Sequence, residues 1–292
     1  CRELFDRLEF LVVQDMYETT DTARIADLYL PAAGWGEKEG TFINSERRIG
    51  LLKKVSKAPG EALADFSIFK LLAHYCGCGE MFAAWNEPED VFQSLKQVSR
   101  GQPCDISGIV DYRMIDEAGG IQWPFPSSEL VPDLTAPSFR ERRLFTGGRF
   151  YHADRRARLI FAEPRTMPER PNVDYPYLLN TGRASAAQWH TQTRTGQSAV
   201  LRSLCSTDPY VEINPHDATQ EGIGANQWVT LESRRGRMDA KAFLTHSVPP
   251  GQVFVPMHYP DINRLTLAHF DPYSKQPSYK DCAVRLIRLL VT

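Results

Sequence analysis

Short apolar runs and helix-spaced apolar positions take turns over the first eighty residues. Phe10-Leu11-Val12-Val13 suits a buried strand and ends in Gln14-Asp15. Polar residues there are usual at the carboxyl end of a parallel strand, where ligands gather. A short helix is predicted from Thr20 to Ile25, capped by a Thr or Asp, and a second strand over Asp27-Leu28-Tyr29-Leu30, stopped by Pro31. Leu63, Phe66, Ile68, Phe69, Leu71 and Leu72 recur at helical spacing and are followed by glycines, which predicts a helix over Glu61–Tyr75. Between 86 and 165 prolines and glycines interrupt every pattern, as in Gln122-Trp123-Pro124-Phe125-Pro126. That stretch reads as a connector draped over the surface, with short strands near Leu144–Phe150 and Arg158–Phe161. From 170 onward strands dominate: Tyr177–Leu179, Tyr210–Ile213, Gln227–Glu232, Arg237–Phe243 and Val253–Pro256. The turn signals between them, Asn214-Pro215, Gly222-Ile223-Gly224, Arg235-Gly236 and Pro249-Pro250-Gly251, argue for a β-barrel of modest size.

One stretch fits neither period. Thr181 to Gly196 packs two glycines, two arginines, a histidine and four threonines into sixteen positions, directly after the apolar Tyr177-Leu178-Leu179. An ordinary solvated loop is the plain reading of a lone Thr-Gly-Arg. The density of donors points instead to a grip on a large polar anion: glycine lets the backbone approach, hydroxyls and amides donate, and guanidinium forks phosphate.

Composition narrows the setting. With 42% hydrophobic and 24% charged residues and a net charge of -2, the chain is globular and gives no electrostatic argument for nucleic acid or membrane binding. No apolar run approaches the roughly 20 residues of a membrane span, and no basic segment precedes an apolar one near the start. The six cysteines are scattered. Cys76-Gly77-Cys78, with His74 nearby, has no second pair at metal-site spacing, so reduced thiols in a cytoplasmic protein are expected. The chain opens on Cys1 and enters a strand almost at once, which reads as the tail of a longer polypeptide.

Two blocks carry a resemblance. The first comprises Gln14-Asp15-Met16-Tyr17, Ala26 to Ala33, Trp35 to Arg48 with Glu37-Lys38-Glu39-Gly40 and Asn44, and Pro59-Gly60-Glu61-Ala62 with Asp65. The second comprises the 181–196 stretch, Val211 to Ala218, Ser233-Arg234-Arg235-Gly236, Met257-His258-Tyr259, Asn263 to Thr266 and Asp271 to Lys280. Together they resemble the molybdenum bis-molybdopterin-guanine-dinucleotide oxidoreductases, the dimethyl sulfoxide reductase family. Gly101-Gln102-Pro103-Cys104-Asp105 and Gly119 to Pro124 tip the comparison toward the assimilatory nitrate reductases. The resemblance implies α/β followed by mainly β structure. Residues 1–85 would end a Rossmann-like domain, 86–169 form the connector, and 170–292 form a double-psi β-barrel that binds molybdopterin dinucleotide. It also implies a Mo-bis(molybdopterin guanine dinucleotide) cofactor, and a [4Fe-4S] cluster and metal ligand upstream of the matched region.

Site residues follow from the matching positions. Asp15 and Asp65 would meet guanine or ribose, a carboxylate being suited to the N1–H and N2–H₂ edge of guanine, with Gln14 a further cofactor contact. Lys38 would supply a point charge for phosphate or pterin. Thr181, Gly182, Arg183, Gln188, Trp189, His190 and Thr191 would line one groove, with Asn263, Tyr279 and Lys280 as further contacts and Met257 and His258 near the substrate funnel. Glu46-Arg47-Arg48 reads as a structural ion-pair network. The activity implied is nitrate reduction to nitrite, with electrons from ferredoxin, flavodoxin or an NADH-linked reductase subunit. Formate dehydrogenation, or a stand-alone dinucleotide-binding module without catalysis, are the alternatives.

Overall fold

The computed structural model describes residues 2–128, 141–185, 187–190 and 192–289. The chain forms two compact units, Cys1–Ile160 and Phe161–Thr292.

In the first unit a short helix α1 (Arg2–Phe5) precedes strand β1 (Val12–Asp15), which pairs in parallel with β2 (Leu28–Pro31). The predicted helix at 20–25 contracts to a 3₁₀ turn, Ala23–Ile25. Thr20 Oγ1 accepts from the Ala23 amide, so this Thr/Asp-rich run spends its side chains on local turns rather than on helix. Strands β3 (Gly40–Ile43), β4 (Arg48–Leu52) and β5 (Ile121–Gln122) form an antiparallel sheet. Helix α2 (Asp65–Tyr75) covers the predicted Glu61–Tyr75 except its first four residues, where Leu63 instead forms a bridge with Ala32.

The stretch from 86 onward departs from a draped connector. It contains helices α3 (Pro88–Ser99) and α4 (Tyr112–Glu117), and Phe92, Ile106, Ile109, Tyr112, Ile115, Ile121 and Phe125 bury with Ile49 in one core. Pro88 misleads because it stands at the first turn of α3, where its missing N–H costs nothing, while Glu87 and Asp90 close a capping box. Asp111 caps α4 by accepting from the Met114 amide at 2.8 Å. No strand forms at Leu144–Phe150 or Arg158–Phe161. Phe145 instead stacks on Phe150, 4.6 Å between ring centroids, in a turn-rich segment, and Leu159, Ile160 and Phe161 stay exposed without a pairing strand.

The second unit is a closed barrel of β6 (Tyr177–Gly182), β7 (Tyr210–Ile213), β8 (Trp228–Glu232), β9 (Arg237–Leu244), β10 (Gln252–Pro256) and β11 (Cys282–Arg288). They close in the order β10-β6-β11-β8-β9-β7, with β6·β10 and β7·β9 parallel and the other pairs antiparallel. Two parallel pairs need crossovers; α5 (Ala199–Ser203) and α6 (Pro215–Gln220) lie in those connections. Asn214-Pro215 marks a helix start rather than a plain turn, since the Asn214 side chain accepts from the His216 amide at 2.9 Å. Burial alternates along β6, so Tyr177, Leu179 and Thr181 face inward while Gly182 ends the strand at the rim. Leu179, Val211, Ile213, Leu231 and Val255 are fully buried, each such side chain contributing about 1.5–3 kcal/mol. The core fixes the rim on which the glycine- and threonine-rich stretch is mounted.

Candidate cofactor-binding site

In the first unit, three of the four expected residues meet at one carboxylate. Asp65 opens α2, where the helix dipole favours a negative charge. Gln14, at the carboxyl end of β1, donates from Nε2 to Asp65 Oδ1 at 2.5 Å, and Lys38 Nζ donates to Oδ2. Burial pushes the Asp65 carboxyl up, but the Lys38 ammonium outweighs it with help from Gln14, so the group is held below its ordinary value. Asp65 therefore stays an anion, and each oxygen keeps a lone pair for a further donor. Asp15 turns back on its own chain: Oδ1 accepts from the Tyr17 amide at 3.1 Å, and its carbonyl accepts from the Tyr29 hydroxyl at 2.7 Å.

Arg47 ties loops together as expected, but through main-chain carbonyls. Its guanidinium donates to the Trp123 and Arg142 carbonyls and lies 5.2 Å from the Trp123 ring centroid.

In the second unit, Thr181, Gly182, Arg183 and Lys280 line one groove of about 520 Å³, together with Glu212 and Ser247. Gly182 suits its place: a Cβ there would sit 3.2 Å from the Phe254 ring and crowd the groove wall. Burial pushes the Glu212 carboxyl up. Two cations, a bare backbone position and two hydroxyls in one groove fit a pyrophosphate.

The loop beyond Gly182 is held from within. Arg183 lies over the Trp189 ring, 4.2 Å from its centroid. Gln188 is 2% exposed, accepting from the Thr195 hydroxyl at 2.8 Å and donating to the Leu201 carbonyl at 3.0 Å. The structure thus gives Gln188 a latch between two parts of the loop. Trp189 donates its amide to Thr195 Oγ1 at 3.1 Å. His190 has φ +48°, and its carbonyl lies 2.6 Å from Nδ1 of the buried His258. Met257 donates its amide to the Gly182 carbonyl at 2.8 Å, which binds the end of β10 to the groove rim. Thr191 lies outside the described residues.

Tyr279 is exposed; its carbonyl accepts from the Thr181 hydroxyl at 3.4 Å. Tyr279 and Lys280 also line a second groove of about 730 Å³ with Arg165 and Asp271. Asn263 stands apart, exposed on the 3₁₀ turn Pro260–Arg264. Glu212 and Ser247 were not expected at the groove; the apolar–polar alternation of Val211-Glu212-Ile213 was the one signal for the first.

Two family models match this chain: the molybdopterin oxidoreductase model over residues 2–75 and the molydopterin dinucleotide binding domain over residues 177–283. The chain belongs to the molybdopterin oxidoreductases. It is 37% identical to the F420-dependent formate dehydrogenase subunit alpha of Methanocaldococcus jannaschii over 97% of its length and 39% of that protein. It is also 37% identical to the assimilatory nitrate reductase catalytic subunit of Bacillus subtilis, over 96% of its length and 38% of that protein. This molybdopterin oxidoreductase chain therefore spans about two fifths of the curated relatives it matches. Among solved structures, acetylene hydratase from Pelobacter acetylenicus shares its fold, with a TM-score of 0.66 at 19% identity over 96% of this chain and 40% of that one. The groove at Gly182 lies in the segment matched by the dinucleotide-binding model, and the Asp65 cluster lies in the segment matched by the oxidoreductase model. No helix among the described residues is long and apolar enough to cross a membrane.

Proposed function

We propose that this chain supplies dinucleotide-binding surfaces to a cytoplasmic molybdenum enzyme that reduces nitrate to nitrite in the intact polypeptide. The observation that carries the reading is the groove at the end of β6, where Arg183 and Lys280 flank the bare backbone of Gly182. Pyrophosphate oxygens of a molybdopterin guanine dinucleotide would take their donors from Thr181, Gly182, Arg183 and Lys280. Gln14, Lys38 and Asp65 would serve a nucleotide at their own cluster, Asp65 accepting from a guanine edge or a ribose hydroxyl. Gln188 and His258 would keep the loop in shape, and Trp189 would hold the Arg183 guanidinium in place.

When bound, the cofactor supplies Lewis acidity and two-electron redox chemistry. Nitrate, two electrons and two protons give nitrite and water. The electrons would come from a ferredoxin, a flavodoxin or an NADH-linked reductase subunit, by way of a [4Fe-4S] cluster held elsewhere in the intact enzyme. The residues described here act by binding and orientation.

Formate oxidation is the second reading, favoured by the equal identity to the formate dehydrogenase subunit. The intact enzyme, assayed with reduced viologen and nitrate and then with oxidised viologen and formate, separates the two. Nitrite formation without formate oxidation supports the proposal; the reverse pattern overturns it. Arg183→Ala and Asp65→Ala, each made in the intact enzyme, are expected to lower bound molybdenum and guanine nucleotide about tenfold, as loss of a charge-assisted contact should. Unchanged molybdenum and guanine content in both purified variants would remove these residues from the binding surfaces.

A further inference from the structure

His258 is 1% exposed, directly after the end of β10, and its two ring nitrogens have different surroundings. Nδ1 lies 2.6 Å from the His190 carbonyl. A carbonyl only accepts, so Nδ1 carries the proton, and in the neutral ring Nε2 is left as an acceptor. Nε2 is buried without a hydrogen-bond partner among the described residues.

The contact at Nδ1 has a structural consequence. His190 and Gln192 both occupy left-handed backbone, with φ of +48° and +66°, which costs free energy for residues other than glycine. The His258 bond holds the carbonyl of the first of them. Arg183 is stacked on Trp189, the residue before His190, and Met257, the residue before His258, is hydrogen-bonded to Gly182. The His258 ring and the Met257 amide before it thus hold the two ends of the segment that carries the groove's arginine.

We infer that His258 is a positioning residue for the cofactor-binding loop. Its Nδ1–H fixes the turn at His190 and so steadies Trp189, on which the Arg183 guanidinium of the groove rests. The effect on cofactor retention rests on the proposed function; the loop contact does not.

Three variants of the intact holoenzyme test it. Asn at 258 places an amide donor near Nδ1 and nothing near Nε2. Gln reaches the Nε2 position and is close to isosteric, which guards against misfolding; Leu removes both groups. The readouts are tryptic cleavage at Arg194, and the rate at which molybdenum and guanine nucleotide leave the protein on warming. His258→Asn is expected to keep the loop resistant to trypsin and to hold cofactor as wild type does. His258→Gln and His258→Leu should both make Arg194 cleavable and release cofactor about tenfold faster than wild type. If Asn and Leu behave alike in both assays, the ring is only filling space and the inference is overturned. Wild-type trypsin resistance in all three variants would likewise overturn it. Wild-type enzyme purified without molybdenum or guanine would instead sink the proposed function and the cofactor readout with it, while trypsin still decides the Nδ1 contact.

Discussion

Replacing Glu169 should loosen the barrel, and the structure gives the size of the effect. The Glu169 side chain is 9% exposed. Oε2 accepts from Arg235 Nη2 at 2.7 Å and from the Ala283 amide at 3.0 Å, while Oε1 accepts from Arg234 Nη1 at 2.7 Å and Arg235 Nη1 at 3.1 Å. One carboxylate thereby joins the segment before β6, the β8–β9 turn and strand β11. Burial pushes this carboxyl up, but Arg235, the Ala283 amide and Arg234 pull it down to about 2 from an ordinary 4.5. That displacement sets a ceiling of about 3.4 kcal/mol on the contribution at neutral pH. Water reaches Arg234 and Arg235, whose side chains are 41% and 25% exposed, and screens part of it. About 2 kcal/mol is the expected loss for Glu169→Gln.

The assay is amide exchange on the peptide covering 277–289, which contains the Ala283 amide. A loss of about 2 kcal/mol should lower protection roughly thirtyfold at pH 7. The pH dependence has a definite sign. The folded value lies below the unfolded one, so the contribution is whole above about pH 4.5 and is lost as pH falls toward 2. The gap between wild type and Glu169→Gln must therefore close on acidification. Protection unchanged within about twofold at pH 7, or a gap that widens in acid, would refute the clamp.

Gln188→Leu removes the buried amide, takes the acceptor from the Thr195 hydroxyl and leaves the Leu201 carbonyl only the Leu204 amide at 3.3 Å, at a cost of about 1–3 kcal/mol. Faster tryptic cleavage at Arg183 and Arg194 is expected, and wild-type cleavage rates would refute the latch. In the first unit, Gly108→Ala would bring Cβ to 2.8 Å from the Phe125 and Pro126 carbonyl oxygens, closer than such atoms approach. Backbone must shift, and a destabilisation of about 1–3 kcal/mol is expected from chemical denaturation of the intact protein. A midpoint equal to wild type would show that the turn yields freely.

Much of this architecture was open to reading because it rests on local pattern. The parallel pair β1·β2, helix α2 and five barrel strands lie where apolar period and turn residues place them. The elements that escaped share a different cause. Helix α3 begins on a proline, and β11 carries Arg285 and Arg288 among its apolar residues, so neither shows a clean signal until its partners are known. The site divides in the same way. Thr181-Gly182-Arg183 announces itself through the chemistry of adjacent residues. Asp65, Lys38 and Gln14 could be named from resemblance, but their convergence depends on pairing across 51 and 27 positions, which no local period encodes. Gln188 and His258 are named by the resemblance as groove and funnel positions, among residues that do face a ligand. In the folded chain Gln188 is spent on the loop's own hydroxyl and carbonyl, and one face of His258 on the loop's backbone. A groove for a charged dinucleotide needs its donors held still before the ligand arrives, since ordering them on binding would subtract from affinity. Neighbours of a binding residue are therefore as apt to be its supports as its colleagues, and burial is what separates the two: Arg183 and Lys280 are exposed at the groove, whereas Gln188 and His258 are closed beneath it.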